Sequence, residues 1–562
     1  MPHRGEFPAT PMAFYDTPDS DIDSDSDVDN DDTHAGSRRF VQADLPWTKP
    51  EKRAQHKAWL PFARFLGQLP ALKDLVYACT HQVPACILAA LHDNSPQTRL
   101  HVRGFALRSL YQEGDQLHDI SSDDLTPATS PCLYSIHATC EPHNWEGRST
   151  FNLEVIKKMV SGAAPGLRRV HIVQLSSPVV FNPAAPVIQT PEAPWRGFFL
   201  DSSSSSAQTS PLARLESLTL SGFGCSPNDL LAWNNRADFS CLLRLEISYN
   251  LSLQALEALA SMAAEGKFRS LRTLGLQVGS EVPDENNPET LDSPTSLFLE
   301  AISQLNSLDL YGRFGPLTVQ AALHRHGPTL RKLHLRSVTP NHTFNPIERY
   351  SPDYNPFAHD IAALCPRLDD LSVQVQRDQG GPDEISAYRA LGALPRLRHL
   401  SLQLNCSVPR NNNRREMIRT TLANHAVDAT LARAIFDEIT GAAVGAPLES
   451  LKIDPEINVT GMPDLDNLAW WVLSGWQCSR DDEGQVVVRQ DCEERFGIRT
   501  SNVRLRMGLR RRMIESVDQE YKDVWNDMWP GGGGDWKDEW TSFPLQTRDL
   551  GCIEQLSTLS LD

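Results

Sequence analysis

The chain has 562 residues and a formal net charge of −18 at pH 7. This acidity argues against a nucleic-acid-binding protein, because affinity for nucleic acid requires a basic surface. The sequence contains no apolar run of about 18 residues and no apolar segment near its first residues, so we expect neither a membrane-spanning helix nor a secretory signal. Its 11 cysteines include no C-x-x-C pair, which is typical of an intracellular protein, cytoplasmic or nuclear.

Residues 1–45 are poor in apolar side chains and include the run DSDIDSDSDVDNDD from Asp19. Like charges at this density cannot offset the entropy lost on folding, so the pattern predicts a disordered acidic tail. Ser20, Ser24 and Ser26 each have an aspartate three residues further on, which is the pattern preferred by acidophilic kinases such as casein kinase 2. They are candidate phosphorylation sites; the alternative is a tail that only improves solubility.

Residues 46–130 are expected to form an N-terminal cap followed by the first degenerate repeats. The segment AWLPFARFLGQL places Trp59, Phe62, Phe65 and Leu66 on one face of a helix. The terminal unit of a repeat array is commonly atypical, because one of its faces meets water.

A six-residue phrase, L-x-x-L-x-[LIVA], then returns along the chain. Its third and fifth residues are mostly polar while the fourth and sixth are apolar, and this alternation predicts a half-buried strand. Several steps between copies fit the period of roughly 20–29 residues that is typical of leucine-rich repeats. Clear copies begin at Leu215, Leu242, Leu271, Leu305, Leu330, Leu368, Leu397 and Leu448, weaker copies begin at Leu72, Leu133 and Leu167, and a last copy begins at Leu556.

Helical patterns separate the strands. Apolar residues recur about once per turn within 252–266 and 316–327. Helices are also predicted from Asp360, Asp383 and Asp428, each of which can cap a first turn. Each unit is therefore a helix followed by a strand, which predicts an α/β leucine-rich repeat solenoid: a curved array of parallel strands with outer helices.

We place this solenoid at 131–463, with insertions at 174–211 and 404–447. Residues 464–562 carry seven of the 12 tryptophans and are expected to form a Trp-rich C-terminal cap that ends in the last repeat strand. Within the cap, the segment before Pro530 has the apolar spacing of a helix.

Five phrases carry a resemblance to a known group: LPALKDLVYAC, SPCLYSIHATC, PGLRRVHIV, LESLTLSGFG and WNDMWPGGGGDWKDEWTSFPL. They resemble leucine-rich repeat proteins of filamentous fungi, many of them F-box proteins, over most of residues 60–562. In F-box members an N-terminal F-box binds the Skp1 subunit of a cullin ubiquitin ligase and the repeats hold the substrate. The resemblance therefore implies Skp1 as a partner and a role as substrate receptor. The F-box itself is not recognisable, because LPWTKPEKRAQ at Leu45 does not continue as an F-box start.

No catalytic, cofactor-binding or metal-binding motif is recognisable. His324 and His326 lie two apart at a predicted helix end, which separates their side chains and indicates surface polarity. We expect a non-enzymatic protein–protein interaction scaffold that binds an unidentified protein through the concave strand face. An alternative is a GTPase-activating or other enzyme-regulating solenoid, for which a deep pocket with converging acid, base or arginine groups would be the sign.

The candidate contact residues are polar side chains of the predicted strands. They are Ser217, Thr219, Arg244, Glu246, Arg272, Asp309, Lys332, His334, Asp370, Ser372, His399 and Ser401. His137 and His171 occupy the same variable strand position in the weaker copies.

Overall fold

The computed structural model describes residues 49–79, 81–107, 122–140, 152–175, 212–222, 227–279, 288–337, 355–406, 408, 413–445, 447–456, 463–481, 483–491, 517–531 and 539–546. The predicted acidic tail with Ser20, Ser24 and Ser26 lies outside these residues. So do most of the predicted insertion 174–211 and the last repeat copy at Leu556.

One sheet of 14 strands runs through the described residues, and its strands follow one another in chain order. Neighbouring strands are parallel from β1 to β12 and antiparallel from β12 to β14. The strands are β1 Asp74–Tyr77, β2 Arg99–Arg103, β3 Leu133–Cys140, β4 Arg169–Gln174, β5 Ser217–Gly222, β6 Arg244–Leu251, β7 Thr273–Val278, β8 Ser307–Gly312, β9 Lys332–Ser337, β10 Asp370–Gln376, β11 His399–Asn405, β12 Ser450–Glu456, β13 Gly475–Arg480 and β14 Val486–Asp491.

Helices connect most of these strands, and a π-helical turn, Met159–Ala163, continues the fourth helix. The helices are α1 Lys49–Leu66, α2 Ala85–Asn94, α3 Ser122–Ala128, α4 Asn152–Lys158, α5 Pro227–Asn234, α6 Leu253–Ala264, α7 Pro288–Ala301, α8 Pro316–His326, α9 Asn355–Leu364, α10 Pro382–Gly392, α11 Arg414–His425, α12 Ala429–Gly441, α13 Pro463–Val472 and α14 Gln519–Met528. The predicted α/β class is confirmed, and the open, mainly parallel sheet is consistent with a solenoid.

Every described copy of the repeat phrase forms a strand, and side-chain alternation explains why. In β6, Leu245 and Ile247 are fully buried, whereas Arg244 is exposed and Glu246 is half-buried. The apolar positions join the helices in one core. Burying one leucine contributes roughly 1.5–3 kcal/mol, so even the weak copies can hold their place in the sheet.

The helix predictions are confirmed in part. Ser252 caps α6, since its hydroxyl accepts a hydrogen bond from the amide of Ala255 at 3.3 Å. The helices predicted within 316–327 and from Asp428 are α8 and α12. The predicted start at Asp360 is wrong: α9 begins at Asn355, where the following proline suits a first helical turn.

Three phenylalanines from successive units form a ladder in the core. The ring of Phe268 lies 5.7 Å from that of Phe239 and 5.6 Å from that of Phe298. None of the three is more than 1% exposed. The ladder therefore joins neighbouring units through contacts that no single unit could make alone.

The prediction of surface polarity is wrong for His326, which is fully buried. Its Nδ1 accepts a hydrogen bond from the amide of Leu305 at 3.3 Å, and its Nε2 lies 3.0 Å from the carbonyl of Leu299. Burial lowers the pKa of His326 to about 4, so the ring is neutral near pH 7. The neutral ring therefore links the end of α8 by a hydrogen bond to the turn before β8.

A second apolar cluster lies beyond β11. Helices α11, α13 and α14 pack around Tyr521 and Trp525, while α12 packs against α10 and continues the helix layer. The stretch 404–447 thus contains two helices with different packing partners: α11 belongs to the second apolar cluster, and α12 packs with α10 beside the sheet. Arg414 of α11 forms an ion pair with Glu520 of α14 at 3.3 Å, which fastens the two helices together at the surface.

Residues 539–546 lie against the loop that follows β10. There Arg377 donates two hydrogen bonds to Glu384, at 2.6 and 2.8 Å, and neither side chain is exposed to solvent. The guanidinium also donates to a carbonyl of the 539–546 segment at 3.4 Å. Gly380 has a φ of +75°, and a Cβ there would lie 2.7 Å from the Cα of Leu545. A glycine is therefore required where the segment crosses.

Candidate protein-binding face

The strand residues that alternate with the buried ones form one face of the sheet, which we call the open face. The strand register aligns these residues in two rows. The first row contains Ser217, Arg244, Thr273, Ser307, Lys332, Asp370, His399 and Ser450, and the second contains Thr219, Glu246, Gly275, Asp309, His334, Ser372, Ser401 and Lys452.

All the predicted contact residues except Arg272 lie in these rows. The placement of Arg272 inside a strand is wrong, because β7 begins at Thr273. In the phrase LRTLGL the outward third position belongs to Thr273, whereas Arg272 holds the second position. Its guanidinium donates to the carbonyl of Gln304 at 3.0 Å, at the margin of the open face.

Two carboxylates bracket His334 across three adjacent strands. Its Nε2 lies 3.2 Å from Asp370 and its Nδ1 lies 3.5 Å from Asp309. The ammonium of Lys332 lies 3.2 Å from the other oxygen of Asp370. Four charged or titratable residues from β8, β9 and β10 thus form one connected network on the open face.

This network shifts the pKa values of His334 and Asp370. Burial alone would lower the pKa of His334, but the hydrogen bonds with Asp309 and Asp370 raise it above its ordinary value. Burial alone would raise the pKa of Asp370, but His334 and Lys332 lower it. The network therefore favours a protonated imidazole beside an ionised Asp370.

A second polar contact joins β5 to β6. The guanidinium of Arg244 lies 2.5 Å from Glu246 on its own strand, and the hydroxyl of Thr219 donates to the same carboxylate at 3.2 Å. About half of the Arg244 side chain stays exposed. This part of the open face presents a positive charge with one nearby acid.

Not every position of the rows is accessible. Ser372 is 1% exposed, and its hydroxyl has no hydrogen-bond partner among the described residues. Gln374, two residues further along β10, is fully buried and donates to Glu456 at 2.6 Å. On β11, by contrast, His399 is exposed and bonds Ser450 at 3.0 Å. Ser372 is therefore in the predicted row without being part of the accessible surface.

The open face continues over β2–β4, where sequence reasoning predicted only the histidines. The rings of His137 and His171 are parallel, with centroids 4.1 Å apart. Burial, with the nearby charge of Arg103, lowers the pKa of His137. Burial, with His137 and Arg244 nearby, lowers the pKa of His171 to about 4. Both rings are consequently neutral near pH 7.

Arginines surround this histidine pair. Arg99 and Arg169 lie over the ring of Tyr134, at 5.1 and 5.4 Å from its centroid. The Tyr134 hydroxyl donates to Glu216 at 2.7 Å. Arg169 could have been found from the sequence, because it holds the outward third position of LRRVHI; Arg99 could not, because β2 contains no copy of the phrase. We call the set Arg99, His101, Arg103, His137, Arg169, His171 and Arg244 the basic patch.

A shallow cleft opens where β4, β5 and β6 end, and its lining includes Lys157, Asp229 and Trp233. Lys157 is 5% exposed, and its ammonium lies 3.0 Å from Glu154 and 3.8 Å from Asp229. Its charge is therefore compensated within the fold. Within the described residues, no group of three or more His, Cys, Asp or Glu side chains is arranged to hold a metal ion.

The fold and this face define an α/β protein with an open, mainly parallel sheet of 14 strands that carries polar rows on one side. No protein-family model matches the chain, and no curated protein matches it. Within the described ranges, no helix combines the length and apolar character needed to cross a membrane.

Proposed function

We propose that the chain is an intracellular leucine-rich repeat scaffold, without enzymatic activity, that binds another protein through its open face. The observation that carries the proposal is the unbroken run of parallel strands from β1 to β12, which aligns polar side chains in two rows. Stacked repeats create extended surfaces of this kind, and such surfaces are used for binding.

The chemistry of the rows favours a polypeptide with charges of both signs. Arg244, Lys332 and His399 present cationic or titratable groups with about half of each side chain exposed. Asp309 and Asp370 supply partly exposed carboxylates nearby. Complementary charges of this kind select partners and speed association more than they add affinity.

The test compares the proteins captured by the full chain with those captured by two double-substitution variants. The open-face variant is Arg244→Glu with His399→Glu, and the control variant is Glu257→Arg with Glu300→Arg, which changes exposed residues of the helix layer. We expect a partner of the wild-type chain to be lost from the first variant, at unchanged melting temperature, and retained by the second. Equal retention by both variants would contradict the proposal.

A narrower proposal concerns one partner. We propose that the chain is a substrate receptor that binds Skp1 of a cullin ubiquitin ligase, as its resemblance to F-box proteins implies. Helix α1 supports this, because it exposes Phe62 and Phe65 by 36% and 52% at the N-terminal end of the sheet. Purified Skp1 should bind the full chain and should lose affinity for a Phe62→Glu, Phe65→Glu variant. Absence of binding to the wild-type chain would refute this narrower proposal and leave the scaffold proposal standing.

A further inference from the structure

Part of the positive charge of the basic patch has no ion-pair partner among the described residues. Arg99 is paired with Asp74 at 2.7 Å, and Arg244 is held by an acid on its own strand. Arg103 and Arg169 are exposed and form no ion pair with any described residue. A chain whose formal net charge is −18 thus places two exposed arginines, without an ion pair among the described residues, on one part of its open face.

Neighbouring groups in the patch can also bind an anion. Each neutral imidazole of the stacked pair, His137 and His171, retains one N–H donor. The hydroxyl of Ser221 lies 3.5 Å from His171. Guanidinium groups recognise carboxylates by paired hydrogen bonds, so Arg103 and Arg169 frame a site for an acidic polypeptide.

The chain itself contains a segment with the complementary pattern. Within 19–32, aspartates alternate with other residues; they occupy positions 19, 21, 23, 25, 27, 29, 31 and 32. In an extended segment, alternate side chains share one face and lie roughly 6.5–7 Å apart. Residues two apart on an open-face strand, such as Arg169 and His171, have the same spacing. In an extended conformation, alternate carboxylates of the segment would therefore match the interval between Arg169 and His171.

The segment is long enough to reach the patch. Asp32 is 17 residues before Lys49, where the first described helix begins (49 − 32). A fully extended stretch of that length spans about 55–60 Å. Neighbouring strands lie about 4.8 Å apart, so β6 lies five inter-strand spacings, or about 24 Å, from β1. Helix α1 starts near the β1 end of the sheet, since its Lys52 pairs with Asp123 of α3, the helix between β2 and β3.

We propose that the acidic segment 19–32 docks on the basic patch of its own chain and covers that half of the open face. The patch is then a regulated surface: a partner that uses it must displace the segment. Phosphorylation of Ser20, Ser24 or Ser26 would strengthen the docking, because each phosphate adds about 1.5 to 2 negative charges. Only the competition with a partner rests on the proposed function; the docking itself does not.

The test places a photo-crosslinking benzoylphenylalanine at Ile22 or Val28 of the full chain, positions that leave every aspartate in place. Crosslinked peptides are then mapped by mass spectrometry at monomer mass. We expect crosslinks to β2–β6. Their yield should fall several-fold between about 0.01 and 1 M salt, over which the screening length shrinks from about 30 to 3 Å.

Two matched variants complete the test. Arg103→Glu with Arg169→Glu should abolish these crosslinks, whereas Lys332→Glu with Arg336→Glu, the same charge change on β9, should leave them intact. The salt series keeps the proposal testable if the first variant fails to fold. Crosslinks that map to β8–β12 or to the helices, that join two chains, or that resist salt would overturn it. No partner is needed, so the docking can fail while the scaffold proposal stands.

Discussion

The phenylalanine ladder gives a direct test of how the units hold together. Phe268 is 1% exposed and touches the ring of Phe239 on one side and that of Phe298 on the other. Its replacement by alanine removes a buried ring from between two units and leaves a cavity. Such changes cost about 3–5 kcal/mol, a large share of the roughly 5–15 kcal/mol that stabilises a typical folded protein.

Equilibrium unfolding in urea, followed by tryptophan fluorescence, measures this cost. The matched control is Phe65→Ala, because Phe65 is 52% exposed on α1 and surface substitutions usually change stability by less than about 0.5 kcal/mol. We expect Phe268→Ala to lower the unfolding midpoint strongly and Phe65→Ala to leave it nearly unchanged. Equal and small effects of the two substitutions would refute the reasoning that inter-unit packing stabilises the array.

Three further predictions follow from polar contacts. Asp292→Ala should lower the free energy of unfolding by about 1–3 kcal/mol, because the carboxylate accepts three backbone N–H bonds of 2.8–3.0 Å at the start of α8; an unchanged urea midpoint would contradict this. Glu384→Ala should lower the free energy of unfolding by about 3–5 kcal/mol, because it leaves Arg377 buried without its ion-pair partner. A fall in melting temperature no larger than that of Glu300→Ala, which removes an exposed acid, would contradict this. Because the pKa of His334 is raised in the folded protein, its protonation stabilises the fold fully below the unfolded pKa, and this stabilisation is lost as pH rises through the folded pKa. The melting-temperature difference between the wild-type chain and His334→Gln should therefore be larger near pH 5.5 than near pH 8. A difference that grows with pH would contradict this prediction.

Much of the sheet follows from local pattern. A strand with one buried face must alternate apolar and polar residues, so phrases such as LESLTL specify both the strand and the face of each side chain. Thr219 and Glu246, which the phrase predicts as polar strand residues, lie at neighbouring positions of one row. The error at Arg272 was one of register: a shift of one residue moves a side chain off the row.

What the sequence did not reveal depends on contacts between distant residues. Strand β2 has the residues RLHVR and no copy of the phrase, and only its neighbours β1 and β3 hold it in the sheet. The hairpin of β13 and β14 was not predicted within the Trp-rich region. The burial of His326 depends on bonds to groups more than 20 residues away. Such contacts leave no local pattern in the sequence.

The candidate binding face was likewise predictable from the sequence only in part. Its rows were predictable, but its accessibility was not, because the burial of Ser372 is set by what surrounds β10 in space. The basic patch combines residues from four strands, β2, β3, β4 and β6, and the stacking of His137 on His171 requires the parallel register of β3 and β4. Composition alone suggested a uniformly acidic protein, and only the fold separates the positive part of the open face from the rest.

Hydrogen–deuterium exchange of the full chain, with and without its purified partner, tests the binding role of the open face most directly. We predict that protection on complex formation is confined to peptides that contain strand residues of the two rows, such as 215–222, 242–251, 330–337 and 397–405. Peptides from α6, α7 and α8 should exchange at the same rate with and without the partner. Protection concentrated on those helices, with the strand peptides unchanged, would contradict the account.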